Sequence, residues 1–186
     1  MTTLYGPADI AIGMRESISR VTLFDGPLEL KWHHCATTSD FFAELFALPF
    51  HASRNDYKEV RHNIGYLVNE LIENALKFRE PGEIVVEAAM EQGNFKVKVT
   101  NVIAEASAAD FQRLLAEITM GDPADHLIRR IEANAEDADA TGSGLGLLTL
   151  MSDYGARLAW IFSPTEAVNR IHLETYATIP VSEMRN

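Results

Sequence analysis

The chain is poor in cysteine: Cys35 stands alone among 186 residues. A lone thiol closes no internal disulfide, which points to a reducing compartment and so to the cytoplasm. The chain is also poor in positive charge. Its 16 Lys and Arg face 27 Asp and Glu, leaving a net charge of −11. Binding to duplex nucleic acid needs clustered cations, so nucleic acid is not an expected partner. A basic protein surface remains compatible with this charge. No apolar run reaches the length of a membrane helix, so no membrane segment is expected. The opening residues, MTTLYGPADIAIGMRE, carry Asp and Glu and lack the basic-then-apolar pattern of a secretory signal. There is no internal repeat and no visible domain boundary. With 47% hydrophobic content, one domain over 1–186 with a full core is the expectation.

What is present centres on residues 57–79, YKEVRHNIGYLVNELIENALKFR. Val60, Ile64, Leu67, Val68, Leu71, Ala75 and Phe78 recur at three- and four-residue spacing, which predicts an amphipathic helix. Beside this face runs a stripe of Asn63, Glu70, Asn74 and Lys77. At about 100° per residue these four fall within roughly 60° of each other, at the border between core and solvent. The types suit phosphate chemistry. Glu70 can take a proton or orient a hydroxyl. Asn74 offers a neutral oxygen to a hard cation such as magnesium. Lys77 offers a point charge to phosphate. The same residues also read as a solvated Glu-Asn-Lys ladder.

A second stretch, TGSGLGLLTLMSDYG over 141–155, places Gly142, Gly144 and Gly146 before an apolar helical run from Leu147 to Tyr154. Glycines let the backbone turn and approach a ligand closely. A helix start then presents unpaired N–H groups to an anion.

Asn69 to Phe78, NELIENALKF, resembles the N-box of the GHKL superfamily of ATPases and kinases. Gly142 to Leu147, GSGLGL, resembles its later glycine box. The resemblance covers residues 28–178 and is nearest to the stand-alone anti-sigma-factor serine kinases of bacterial partner switching. It implies a Bergerat-type α/β two-layer sandwich, a mixed and mostly antiparallel sheet with helices on one face. It implies ATP and Mg2+ as ligands and a small regulatory partner protein, STAS-like or similar; a homodimer is left open. Carried over, Glu70 is the catalytic position that activates the attacking water or hydroxyl, and Asn74 is the magnesium ligand. Lys77 lies where phosphate is contacted, and Gly142, Gly144 and Gly146 form the phosphate-covering turn. Thr175 matches a position near the adenine. The sequence departs from the family at the Asp-x-Gly-x-Gly box: Asn101 stands where the adenine-reading aspartate belongs, and no glycine follows. An amide oxygen accepts from the adenine amine less well than a carboxylate.

The remaining elements are read from pattern. Residues 1–27 form an N-terminal extension, irregular to residue 15. Two strands, Ile18–Phe24 and Leu28–Cys35, are expected as a hairpin across Asp25-Gly26-Pro27. His33 and His34, adjacent on that strand, would point to opposite faces and cannot share a metal. Thr37 to Asp40 would cap a short helix through FFAELFAL, ended by Pro49. Glu83–Met90 and Phe95–Asn101 are expected as an antiparallel pair across Glu91-Gln92-Gly93-Asn94. Helices are expected over Asp110–Met120 and Asp125–Ala133, and the GHKL resemblance makes residues 107–141 the lid region, which composition alone reads equally as a solvated connection. Ala156–Phe162 and Val168–Ile179 finish the sheet, with Thr175 the polar residue of a buried face. Two functions are carried forward: an ATP- and magnesium-dependent protein serine/threonine kinase in bacterial signalling, and a catalytically inactive regulator of the same fold that works by protein–protein binding.

Overall fold

A computed structural model describes residues 1–14, 18–24, 32–136 and 145–181. The elements are β1 (Thr3–Tyr5), β2 (Ser19–Phe24), α1 (Trp32–Ala47), a 3₁₀ turn (Leu48–Phe50), α2 (Arg54–Phe78), β3 (Glu83–Glu91), β4 (Asn94–Ala104), α3 (Glu105–Ile118), α4 (Pro123–Glu136), α5 (Leu145–Asp153), β5 (Arg157–Pro164) and β6 (Arg170–Pro180).

The strands form one 6-stranded sheet in the order β1-β5-β6-β4-β3-β2. Every described pairing is antiparallel, so the expected mixture of strand directions is not found. The β3–β4 hairpin turns through Gln92 and Gly93, both at positive φ (51° and 75°), as a tight two-residue hairpin turn requires. One face of the sheet carries Ile84, Val86, Phe95, Val97, Val99, Ile103, Leu158, Trp160, Phe162, Leu173 and Ala177. These join one buried cluster with residues of α1, α2, α3 and α5. The fold is thus an α/β two-layer sandwich with the helices packed against one face.

The central helix forms as the periodicity predicts, and it is longer. It starts at Arg54, where the extended Ser53 accepts from the Asp56 N–H, and buries Val60, Ile64, Leu67, Val68, Leu71, Ile72, Ala75 and Leu76. Phe78, expected on the apolar face, is 42% exposed.

Several other expectations are corrected. Residues 32–35 of the expected strand Leu28–Cys35 lie in α1, while 25–31, including the expected hairpin turn, fall outside the described residues. β2 pairs instead with β3, Val21 opposite Val86. His33 and His34 therefore sit on successive positions of a helix. Thr37 to Asp40 lie inside α1, where the Thr37 hydroxyl donates to the His33 carbonyl and that of Ser39 to Ala36. The lead-in is not wholly irregular, because β1 pairs with β5, Thr3 opposite Phe162. β4 runs on to Ala104 with Asn101 inside it, and α3 begins directly at Glu105.

Candidate functional site

Between α2, α3, α4, the start of α5 and the sheet lies a cavity of about 310 Å³. That is the lower end of the range for small-molecule sites. Its walls are mainly apolar, with Leu71, Phe78, Ile103, Phe111, Leu147 and Trp160 prominent. Five polar side chains besides Asn74 reach the lining: Asn101, Thr175, Ser107, Asp110 and Arg130.

Each is placed by its element. Asn74 follows Leu71 by three positions on α2, which sets it on the border of the helix's buried face. Asn101 lies on the helix-facing side of β4, opposite Leu173 of β6. Thr175, two residues along β6, is its diagonal neighbour on the same face. Asn101 is 3% exposed, and its side-chain nitrogen donates to the Ala75 carbonyl at 3.4 Å. That bond orients the amide and leaves its oxygen as an acceptor. Phe111 packs edge-on against Trp160, with ring centroids 6.1 Å apart, and ties α3 to the floor.

Asn74, Asn101 and Thr175 are thus brought together, while among the described residues Glu70, Lys77 and Gly146 are not part of the lining. Lys77 is exposed, its ammonium 5.1 Å from the centroid of the Phe78 ring. Glu70 faces α5 instead. A Cβ added at Gly146 would overlap Glu70 Oε2, so the carboxylate packs directly on the first turn of that helix. Burial first, and then the neighbouring Glu73 charge, push the Glu70 carboxyl above its ordinary value, while a hydrogen bond from Tyr66 acts the other way. Gly142 and Gly144 lie outside the described residues. Asn63, the fourth residue of the α2 stripe, does not line the cavity.

Sequence reasoning missed Ser107, Asp110, Phe111, Leu114 and Arg130. The signal was present: Ser107, Asp110, Phe111 and Leu114 follow the three- and four-residue spacing of one helix face. Arg130 adds a guanidinium to the side of the cavity nearest α4. Among the described residues no group of three His, Cys, Asp or Glu could hold a metal by itself. Asn74 offers one neutral hard-oxygen donor at the cavity wall. This suits a magnesium ion that takes most of its ligands from phosphate and water.

No family model matches the sequence, and no curated protein matches it. Among solved structures, the fold is similar to a chain in the crystal structure of the SiaB–SiaC complex from Pseudomonas aeruginosa. The TM-score is 0.63 at 16% identity, over 86% of this chain and 89% of that one. At that identity the likeness is one of fold. No described helix is long and apolar enough to cross a membrane.

Proposed function

We propose that this chain binds ATP with Mg2+ in the cavity and acts as a signalling protein kinase on a serine or threonine of a small partner protein. The observation that carries this reading is the meeting of Asn74, Asn101 and Thr175 in one cavity with apolar walls. The apolar part suits a purine. Asn101, held through its nitrogen, offers its oxygen to an exocyclic amine, and Thr175 offers a hydroxyl beside it. Asn74 would hold magnesium, which when bound neutralises phosphate charge. Arg130 would face the phosphates from α4. The fold-level neighbour comes from a two-protein complex, which agrees with a protein partner.

In the transfer step, the partner hydroxyl oxygen would bond to the terminal phosphorus as the bond to the departing ADP oxygen breaks with its electron pair. The hydroxyl proton would pass to Glu70, whose raised pKa brings it nearer the range where a general base works best. A second reading, a regulator that does not turn over nucleotide, draws on the Glu70 geometry: the carboxylate sits against α5 rather than in the cavity lining.

Calorimetry with ATP and ADP, with and without magnesium, tests the site. Magnesium-dependent heat at nucleotide concentrations up to the millimolar range is expected. A folded sample that gives none refutes nucleotide binding. Slow hydrolysis of MgATP, with water in place of the partner hydroxyl, then separates the two readings. Glu70→Gln should keep binding and lower the rate by about two orders of magnitude. Wild-type protein that binds without any turnover supports the regulator.

A further inference from the structure

Among the described residues the cavity lining holds one carboxylate and one cation, Asp110 of α3 and Arg130 of α4. Asp110 shares the inner face of α3 with Ser107, Phe111 and Leu114. Phe111 fixes that face on the floor: its ring meets Trp160 and Phe162 edge-on, at centroid distances of 6.1 and 6.0 Å. Ser107 stands one turn before Phe111 and Asp110 directly before it, so both are carried to the cavity in a set position. Ser107 is partly buried, while the Asp110 side chain, 70% exposed, stands at the mouth. We infer that Ser107 and Asp110 bind the ribose hydroxyls of the nucleotide, so that the cavity selects ribonucleotides over deoxyribonucleotides. This assignment rests on the nucleotide reading of the cavity and adds the sugar to it.

Donor type and charge support it. A carboxylate is an acceptor, as phosphate oxygens are, and it carries the same sign of charge. Asp110 therefore repels the phosphate end of the ligand, which belongs with Asn74 and Arg130. Asn101, 3% exposed, marks the buried end of the cavity, where the base fits. What then reaches the mouth beside α3 is the sugar, with its two adjacent hydroxyls. That diol offers two donors, and a carboxylate with a serine hydroxyl one turn away offers matching acceptors. Acidic side chains accept from ribose hydroxyls in this way in dinucleotide-binding folds. Arg113 donates to Asp110 Oδ1 and leaves Oδ2 for a ligand.

Calorimetry of the full chain with the magnesium complexes of ATP, 2′-deoxyATP and 3′-deoxyATP reads the selection. The wild type should bind ATP about fivefold tighter than at least one deoxy analogue, the size of one charge-assisted hydrogen bond at a partly exposed site. Asp110→Asn keeps the shape and removes the charge. It should weaken ATP by about that factor, leave the analogue unchanged and bring the two within about twofold of each other. Ser107→Ala should narrow the same gap by less. Both positions are at least partly exposed, so urea midpoints close to the wild type are expected and show that the variants fold. Equal wild-type affinity for ATP and both analogues overturns the inference and leaves the nucleotide reading standing. A gap that neither variant narrows overturns it as well. Tighter binding of all three nucleotides to Asp110→Asn would mean that the carboxylate acts only as a charge against the phosphates. A folded wild type that binds none of them ends the nucleotide reading and this assignment together.

Discussion

Under the proposed reading Asn101 combines two duties in one amide. Its nitrogen secures β4 to α2 through the Ala75 carbonyl, and its oxygen remains for a ligand. Asn101→Asp separates them. A carboxylate accepts from an exocyclic amine more strongly, so adenine nucleotides should bind tighter while guanine nucleotides do not. The same change removes the donor to Ala75 and sets two acceptors against each other at a buried site. The ligand-free protein should lose about 1–3 kcal/mol. Calorimetry for the first effect and urea unfolding for the second check both; unchanged adenine affinity would place the base elsewhere. Gly146→Ala is a companion case. Its Cβ would overlap the Glu70 carboxylate, so the side chain must turn away. The expected outcome is a lower hydrolysis rate with nucleotide affinity kept within about threefold, by the reasoning that only transition-state contacts are lost.

At the scale of elements, what the sequence disclosed follows from how local the cause of each element is. α2 was legible from Tyr57 onward because its residues repeat one apolar period; its first turn from Arg54, capped by Ser53, was not read. β3 and β4 were legible from alternation and a Gly-containing turn. α1 was not. LELKWHHC alternates like a strand, and Thr-Thr-Ser-Asp reads as a cap. Yet Cys35, Phe42, Ala43 and Ala47 lie on one helical face and are almost fully buried, and the hydroxyls of Thr37 and Ser39 bond back to carbonyls of their own helix. β1, three residues long, owes its existence to pairing with β5 and to Tyr5 against Phe162, neither visible locally. For the site, α2 and the sheet positions of Asn101 and Thr175 were readable. The aim of Glu70 toward α5 was not, because helical phase alone does not say which neighbour a border residue meets. Ser53 gives a test at this scale. Ser53→Ala leaves the Asp56 N–H without its side-chain partner and should cost about 0.5–1 kcal/mol in urea unfolding.

Across the whole molecule, the two faces of the sheet differ in kind. The helix side is apolar. The other side carries a network in which Lys98 pairs with Glu87, and Arg20 and Glu174 lie at its margins. Tyr176 sits within it, 9% exposed, and is absent from the main core cluster. Burial first, and then the charge of Glu174, push its phenol from an ordinary 10.0 to about 12. On the opposite side Cys35, 1% exposed, has its thiol pushed from 9.0 to about 11 by burial and then by Glu73. Both groups must stay protonated in the fold while the unfolded chain releases their protons earlier. The unfolded state then binds fewer protons, so stability falls as pH rises through the unfolded values and levels above the folded ones. The window runs from about pH 9 to 12 by that linkage. Urea midpoints measured across it should decline steadily for the wild type. Tyr176→Phe should flatten the upper part of the decline and Cys35→Ala the lower part, and the double variant should flatten most of it. A double variant that still declines like the wild type would locate the alkaline sensitivity in other groups.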